Sequence, residues 1–143
     1  MADEITIRNS LTIRNGNLVY QSPTTQFSQD MNRVGGPTPG QLSITTAGEE
    51  VLFGELTTPG MVRITNIDAT NFIEWGIWDS AASEFIPIGE VLPGEAHQFR
   101  FSRNLRSDYS GVGTGTGTDA STHSFYLKAN TATCKVIVEA FEA

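Results

Sequence analysis

At 143 residues the chain has the length of one domain, and its 9 Lys and Arg against 16 Asp and Glu give a formal charge of -7. A chain of this size buries around 70% of the surface it exposes when unfolded, so one sizeable core is possible. The acidic balance argues against direct nucleic-acid binding, which relies on neutralising phosphates; the single cysteine, Cys134, has no partner for an internal disulfide, and no apolar run nears the ~20 residues that cross a bilayer as a helix.

Met1-Ala2-Asp3-Glu4 has neither the basic start nor the apolar run of a secretory signal, so synthesis in the cytoplasm is expected. Ile5-Thr6-Ile7-Arg8-Asn9 is then nearly repeated as Leu11-Thr12-Ile13-Arg14-Asn15. The even offset keeps Ile5, Ile7, Leu11 and Ile13 on one side of an extended chain, and Asn15-Gly16 supplies residues that tolerate positive φ in a tight hairpin before Leu18-Val19-Tyr20. Two copies are too few for a solenoid. Residues 1–20 therefore read as a β arm, one long strand or hairpin that either folds on its own sheet or adds to a neighbour's.

Residues 21–41, with Pro23, Gly35, Gly36, Pro37, Pro39 and Gly40, show almost no periodicity and read as a linker. Phe27 to Arg33 is compatible with a turn or two of helix. From residue 42 to 143 strand signals dominate. Val62 and Ile64 alternate with polar neighbours, and Ile73, Trp75 and Ile77 share one face at period two. The same period recurs in His97 to Phe101, Phe125 to Ala129 and Cys134 to Val138. Turn signals at Thr58-Pro59-Gly60, Asn66-Ile67-Asp68, Leu92-Pro93-Gly94-Glu95 and Lys128-Ala129-Asn130 separate them. The expected fold is all-β, a β-sandwich or jelly-roll-like barrel with an extended N-terminal β arm.

The residues that carry chemistry elsewhere are not arranged for it here. The Gly-rich stretch 110–119 lacks the Gly-Lys-Ser/Thr entry into a helix that a phosphate loop requires. His97 and His123 lie in different segments without Cys or His at ligand spacing, so neither metal nor cofactor is expected. Cys134 alternates with Val136 and Val138 and reads as a core residue. Glu90 and Glu95 would suit a glycosidase only at a separation that sequence does not fix, and Arg100, Arg103 and Arg106 form a local basic cluster in a loop. No catalytic residue is assigned, and the expected role is not enzymatic. Trp78 lies three positions from Trp75, so when Trp75 faces the core Trp78 points outward alongside Phe72, where an aromatic marks a covered face or an interface.

Gly36-Pro37-Thr38-Pro39-Gly40-Gln41-Leu42, the segment from Leu56 to Asn66, Asn71 to Gly76, Leu92-Pro93-Gly94-Glu95 and Lys128-Ala129-Asn130-Thr131 together resemble small virion structural proteins of tailed bacteriophages, most of all head decoration (cement) proteins. The resemblance covers residues 36–143 and leaves the arm outside it. It implies a β-sandwich oligomer, often a trimer, on the outer capsid surface, with the major capsid protein and further copies of itself as partners; neck, tail and baseplate proteins are alternatives of the same class. No membrane association is expected. Ile5, Ile7, Leu11, Ile13, Phe72 and Trp78 are the candidate interface residues. A carbohydrate-binding module, with Trp78 stacking on a sugar ring, is the alternative from another class.

Overall fold

The computed structural model describes residues 4–31, 34–54, 56, 59–79, 82–102 and 123–143. The chain divides into two compact units, residues 1–32 with residue 143, and residues 33–142.

The first unit is a two-stranded ribbon. Strand β1 (Ile5–Asn9) pairs antiparallel with β4 (Thr25–Gln29), and β2 (Thr12–Asn15) pairs with β3 (Leu18–Gln21). The loop at the tip has two residues, Gly16 and Asn17, because Asn15 is already paired with Leu18. Gly16 takes φ 55°, which suits the first central position of a type II′ hairpin turn, where glycine is preferred. Asn9 opposes Thr25, whereas the chain bonds Leu11 to Ser22, so Ser10 faces two residues, Pro23 and Thr24. This is a β-bulge on the returning strand, a position that suits a proline.

The segment expected to be a linker, 21–41, therefore holds β4 and the first residues of β5 (Thr38–Ile44), and the unit boundary lies near residue 32. The reason is that Thr25–Gln29 has one apolar residue, Phe27, and no period-two signal of its own; its order comes from pairing with β1. Phe27, placed at the start of a possible helical turn, is a strand residue. Pro39 and Gly40 sit in β5 without breaking it because β5 is an edge strand, paired with β12 (Cys134–Glu142) alone.

The second unit is a sandwich of two four-stranded antiparallel sheets. The remaining strands are β6 (Glu49–Glu50), β7 (Pro59–Asn66), β8 (Ile73–Asp79), β9 (Glu84–Val91), β10 (Ala96–Arg100) and β11 (His123–Ala129). One sheet runs β10-β7-β12-β5 and the other β6-β11-β8-β9. In chain order, β5 pairs with β12, β6 with β11, β7 lies beside β10 and β8 beside β9. That is a long hairpin with its tip between β8 and β9, rolled so that its strands fall alternately in two sheets, which is the jelly-roll arrangement. Among the described residues the edge strands β5, β6, β9 and β10 do not pair across the gap, so the unit is an open sandwich and not a closed barrel.

The alternating residues of both sheets meet in one core. Val62 and Ile64 of β7, Ile73 of β8, Val91 of β9, Leu127 of β11 and Val136 and Val138 of β12 are almost fully removed from water. Cys134 is likewise buried, at 0% exposure, and burial followed by the Asp68 charge pushes its thiol above the ordinary value. Phe53, Phe101 and Phe125 pack edge-on or stacked at centroid distances of 5.3 to 6.1 Å. Asn66, Ser124 and Glu142 are buried polar residues among those described, and Asn66 is the one that joins two turns. Its Nδ2 donates to the carbonyls of Asn71 at 2.8 Å and Val91 at 3.0 Å, and its Oδ1 accepts from the Asp68 amide at 2.9 Å. The predicted turns at Asn66-Ile67-Asp68 and Leu92 to Glu95 thus meet at one residue, whose side chain holds Asp68 and the end of β9 at Val91 while its backbone binds Gly94 and Glu95.

Candidate interaction surfaces

The first surface is one face of the ribbon. Directly opposed residues of antiparallel strands share a face, so Ile7 with Phe27 and Ile13 with Tyr20 lie on the same side as their neighbours at even spacing. The bulge inserts its extra residue on the returning strand only, and the outgoing strand keeps its alternation from Ile5 through Ile7 and Leu11 to Ile13. All four candidate residues of the arm thus stand on one face, joined by Leu18, Tyr20 and Phe27. The opposite face is polar apart from the exposed Val19 near the tip: Thr6 meets Ser28 at 3.4 Å between hydroxyls, and the Arg8 Nε donates to the Gln26 Oε1 at 2.9 Å. On the apolar face Leu11 is 54% exposed, Ile13 40%, Leu18 58% and Tyr20 50%. Sequence periodicity found half of this stripe. Leu18, Tyr20 and Phe27 were legible only once the hairpin register was known, because each owes its side to the residue opposite.

The second surface is the outer face of the sheet β6-β11-β8-β9. Trp75 faces inward, stacked on Phe99 at 4.8 Å and 8° and on His97 at 5.3 Å. Trp78 faces outward, as its spacing from Trp75 requires, and stacks on Tyr126 at 5.2 Å and 29°; Phe85, directly opposite Trp78, lies 5.9 Å from Tyr126. A row of three aromatic rings therefore crosses β11, β8 and β9. Phe72 is not part of it: it precedes β8, and six residues of extended chain separate it from Trp78 by about 20 Å. Its carbonyl accepts from the Asn130 amide at 3.3 Å.

Carboxylates flank the row on the Tyr126 side. Glu50 opposes Tyr126, and burial first, then the charges of Glu49 and Glu50, raises the Tyr126 phenol above its ordinary value. One step along the strands, Glu74 and Glu90 stand directly opposite each other, with Lys128 on the other side of Glu74. Glu74 and Glu90 line a shallow depression of about 220 Å³ floored by Pro87, Ile88 and Gly89.

A third feature is an apolar slot of about 240 Å³ between the sheets at β9 and β10, lined chiefly by Trp75, Ile77, Ile88, Phe99, Phe101 and Phe125.

The other chemistry-bearing residues are dispersed. Glu95 is engaged within its turn, accepting from the Leu92 amide at 2.8 Å. Glu90 is on the sheet face described above, so the two carboxylates weighed as a glycosidase pair have different surroundings. His97 lies against Trp75 in β10, whereas His123 begins β11 in the other sheet. Among the described residues no three His, Cys, Asp or Glu side chains converge to hold a metal ion. The Gly-rich stretch 110–119, Arg103 and Arg106 lie outside the described residues. No protein-family model, no curated protein and no solved structure matches this chain.

Proposed function

We propose that the chain is a structural subunit of a virion shell, a capsid decoration or cement protein that holds itself and its shell together through protein contacts and carries no catalysis. The observation that supports this reading most is the amphipathic ribbon. Leu11, Ile13, Leu18 and Tyr20 present about half of each side chain to water on a face that the ribbon's own two strands cannot cover. Isolated two-stranded ribbons are marginal in water. At ~25 cal/mol per Å² of apolar area, docking that face recovers several kcal/mol per copy.

The occupant is a neighbouring copy in a homotrimer. The ribbon from Ile5 to Gln29 contains Arg8 and Arg14 and no acidic residue, in a chain whose net charge is -7. A basic ribbon and an acidic remainder attract between copies as well as pack. Jelly-roll domains recur in viral shells and in lectins, so the fold is compatible with the reading and does not select it.

The test uses the full chain with Ile13→Asp and Leu18→Asp together. Light scattering of the unaltered protein should give a trimer mass, and the variant should fall to a monomer with its tryptophan emission unchanged, since both tryptophans are in the sandwich. Co-sedimentation with capsids from the same source should fall in parallel. A monomeric parent protein, with capsid binding indifferent to the two substitutions, would refute the proposal.

A further inference from the structure

We infer that the outer face of the β6-β11-β8-β9 sheet is a docking site for an arginine-bearing segment of a partner protein, seated over Trp78 and Tyr126 with its guanidinium groups directed to Glu74 and Glu90. The site does not involve the ribbon, so this inference and the assembly role stand or fall separately.

Three observations combine. The first is the aromatic row. Trp78, Tyr126 and Phe85, each half-buried, stand on three adjacent strands on the side of the sheet away from the core, and tryptophan and tyrosine are among the residues most enriched where protein partners bind.

The second is charge. Among the described residues Glu50, Glu74 and Glu90 share this face with one cation, Lys128. Glu74 and Glu90 oppose each other directly across β8 and β9, an arrangement of like charges that weakens a strand pair. Among the described residues neither of these two carboxylates has a hydrogen bond or ion pair. A cation arriving from outside relieves a repulsion that the sheet bears by itself.

The third is shape. Gly76 lies between Tyr126 and Pro87 and is buried, and a Cβ there would meet the Ile86 carbonyl, so the backbone of β9 packs closely against β8 beneath the aromatic row. Beside Pro87 the same face carries the depression of about 220 Å³ walled by Glu74 and Glu90.

Arginine fits these features better than the alternatives. A guanidinium is a thin plane that stacks on an aromatic face while its edge donates in pairs to carboxylates, whereas an ammonium is a more strongly hydrated point charge. A sugar ring would call for a broad flat ring face and mixed donors and acceptors. Here Trp78 and Tyr126 stand stacked against each other, and of the four charged residues described on this face three are carboxylates.

The experiment titrates the full-length protein with an amidated peptide of four Gly-Arg repeats, following the indole N–H resonance of Trp78 by NMR, assigned through Trp78→Phe. The same peptide with citrulline in place of arginine, and a panel of neutral oligosaccharides, are titrated in parallel. The arginine peptide should shift the Trp78 resonance and the citrulline peptide should not. Glu74→Gln with Glu90→Gln should weaken binding about tenfold at low salt, the size expected for loss of a charge-assisted pair. Glu139→Gln, which removes a carboxylate from the other sheet, should leave it unchanged. No binding of the arginine peptide, equal binding of the citrulline peptide, an equal loss in the Glu139 variant, or a Trp78 shift produced by a saccharide instead would each overturn the inference.

Discussion

Replacing Asn66 with alanine tests the claim that one buried amide clasps two turns of the sandwich. The side chain is at 0% exposure and makes three hydrogen bonds, two from Nδ2 to the carbonyls of Asn71 and Val91 and one at Oδ1 from the Asp68 amide. At roughly 1 kcal/mol for each neutral bond the loss is about 3 kcal/mol, and leaving the carbonyl of the buried Val91 without this donor adds ~1–2 kcal/mol, for a total of about 4–5 kcal/mol. With a urea slope near ~2 kcal/mol/M for a domain of this size, the midpoint should fall by about 2 M. Urea unfolding followed by tryptophan emission reads this unit specifically, because Trp75 and Trp78 are both in β8. Asn66→Asp separates bonding from volume. It keeps the acceptor but aims a carboxylate at two carbonyl oxygens, so at neutral pH it should be at least as damaging as alanine and should recover partly as the pH falls and the carboxyl regains a proton to donate. A loss under about 1 kcal/mol for Asn66→Ala, or an aspartate variant as stable as the parent at pH 7, would show that the turns hold without the clasp.

Two further tests probe neighbouring features. Gly89 lies opposite Trp75, and a Cβ there would sit 2.7 Å from the Trp75 Nε1, so Gly89→Ala must displace a ring already stacked on Phe99; an overpacking cost of about 1–3 kcal/mol is expected in thermal melts, and an unchanged melting temperature would mean that Trp75 is not held in place. Asp68 accepts from the amides of Asn71 at 2.7 Å and Thr70 at 2.9 Å, and these two bonds, in that order, hold its carboxyl below the ordinary carboxylate range. A depressed folded-state value means that the support is fully present above the unfolded value near ~4 and is lost as the pH falls through the lower folded value. Amide exchange at Thr70 and Asn71 should therefore accelerate in that acid window beyond its intrinsic pH dependence, and equal protection in Asp68→Ala would contradict the assignment.

What the sequence makes legible follows from where each signal originates. Ile73, Trp75 and Ile77, and likewise Cys134, Val136 and Val138, alternate because the two sides of their strands meet different surroundings, and period two is a local record of that difference. Trp78 could be assigned to the outer face for the same reason. Its neighbours could not be named: Tyr126 arrives on β11 and Phe85 on β9, and only the pairing register brings these rings together. In β9 local pattern misleads, since the ladder passes from Trp75–Gly89 to Gly76–Pro87 and leaves Ile88 as an inserted residue. Strand β6 is hidden because its two residues, Glu49 and Glu50, are both acids. Strand β4 is hidden because a polar sequence containing Pro23 and followed by glycines looks like a linker until a partner strand is found for it.

The ribbon raises a separate question: what fixes its register when its own strands enclose no core. A slip by one residue would carry the apolar stripe to the polar face, so an amphipathic ribbon must be specified by something other than burial. Two local devices do this. At the tip, the two-residue turn at Gly16-Asn17 sets Asn15 opposite Leu18. At the bulge, Leu11 and Ser22 form a double connection: the Ser22 amide donates to the Leu11 carbonyl at 2.8 Å, and the Leu11 amide donates to the Ser22 Oγ at 2.7 Å. The serine hydroxyl therefore takes the place of the backbone carbonyl that the inserted residue has moved out of line. Beyond the bulge, the Arg8 to Gln26 and Thr6 to Ser28 contacts tie the strands on the polar side only, so the apolar side contributes no directional bond. A ribbon aligned in this way keeps Ile13 opposite Tyr20 and Ile7 opposite Phe27 before it meets any surface. Under the proposed assembly role, that pre-alignment lowers the ordering cost of docking, which otherwise consumes a large part of what a few exposed apolar side chains can return.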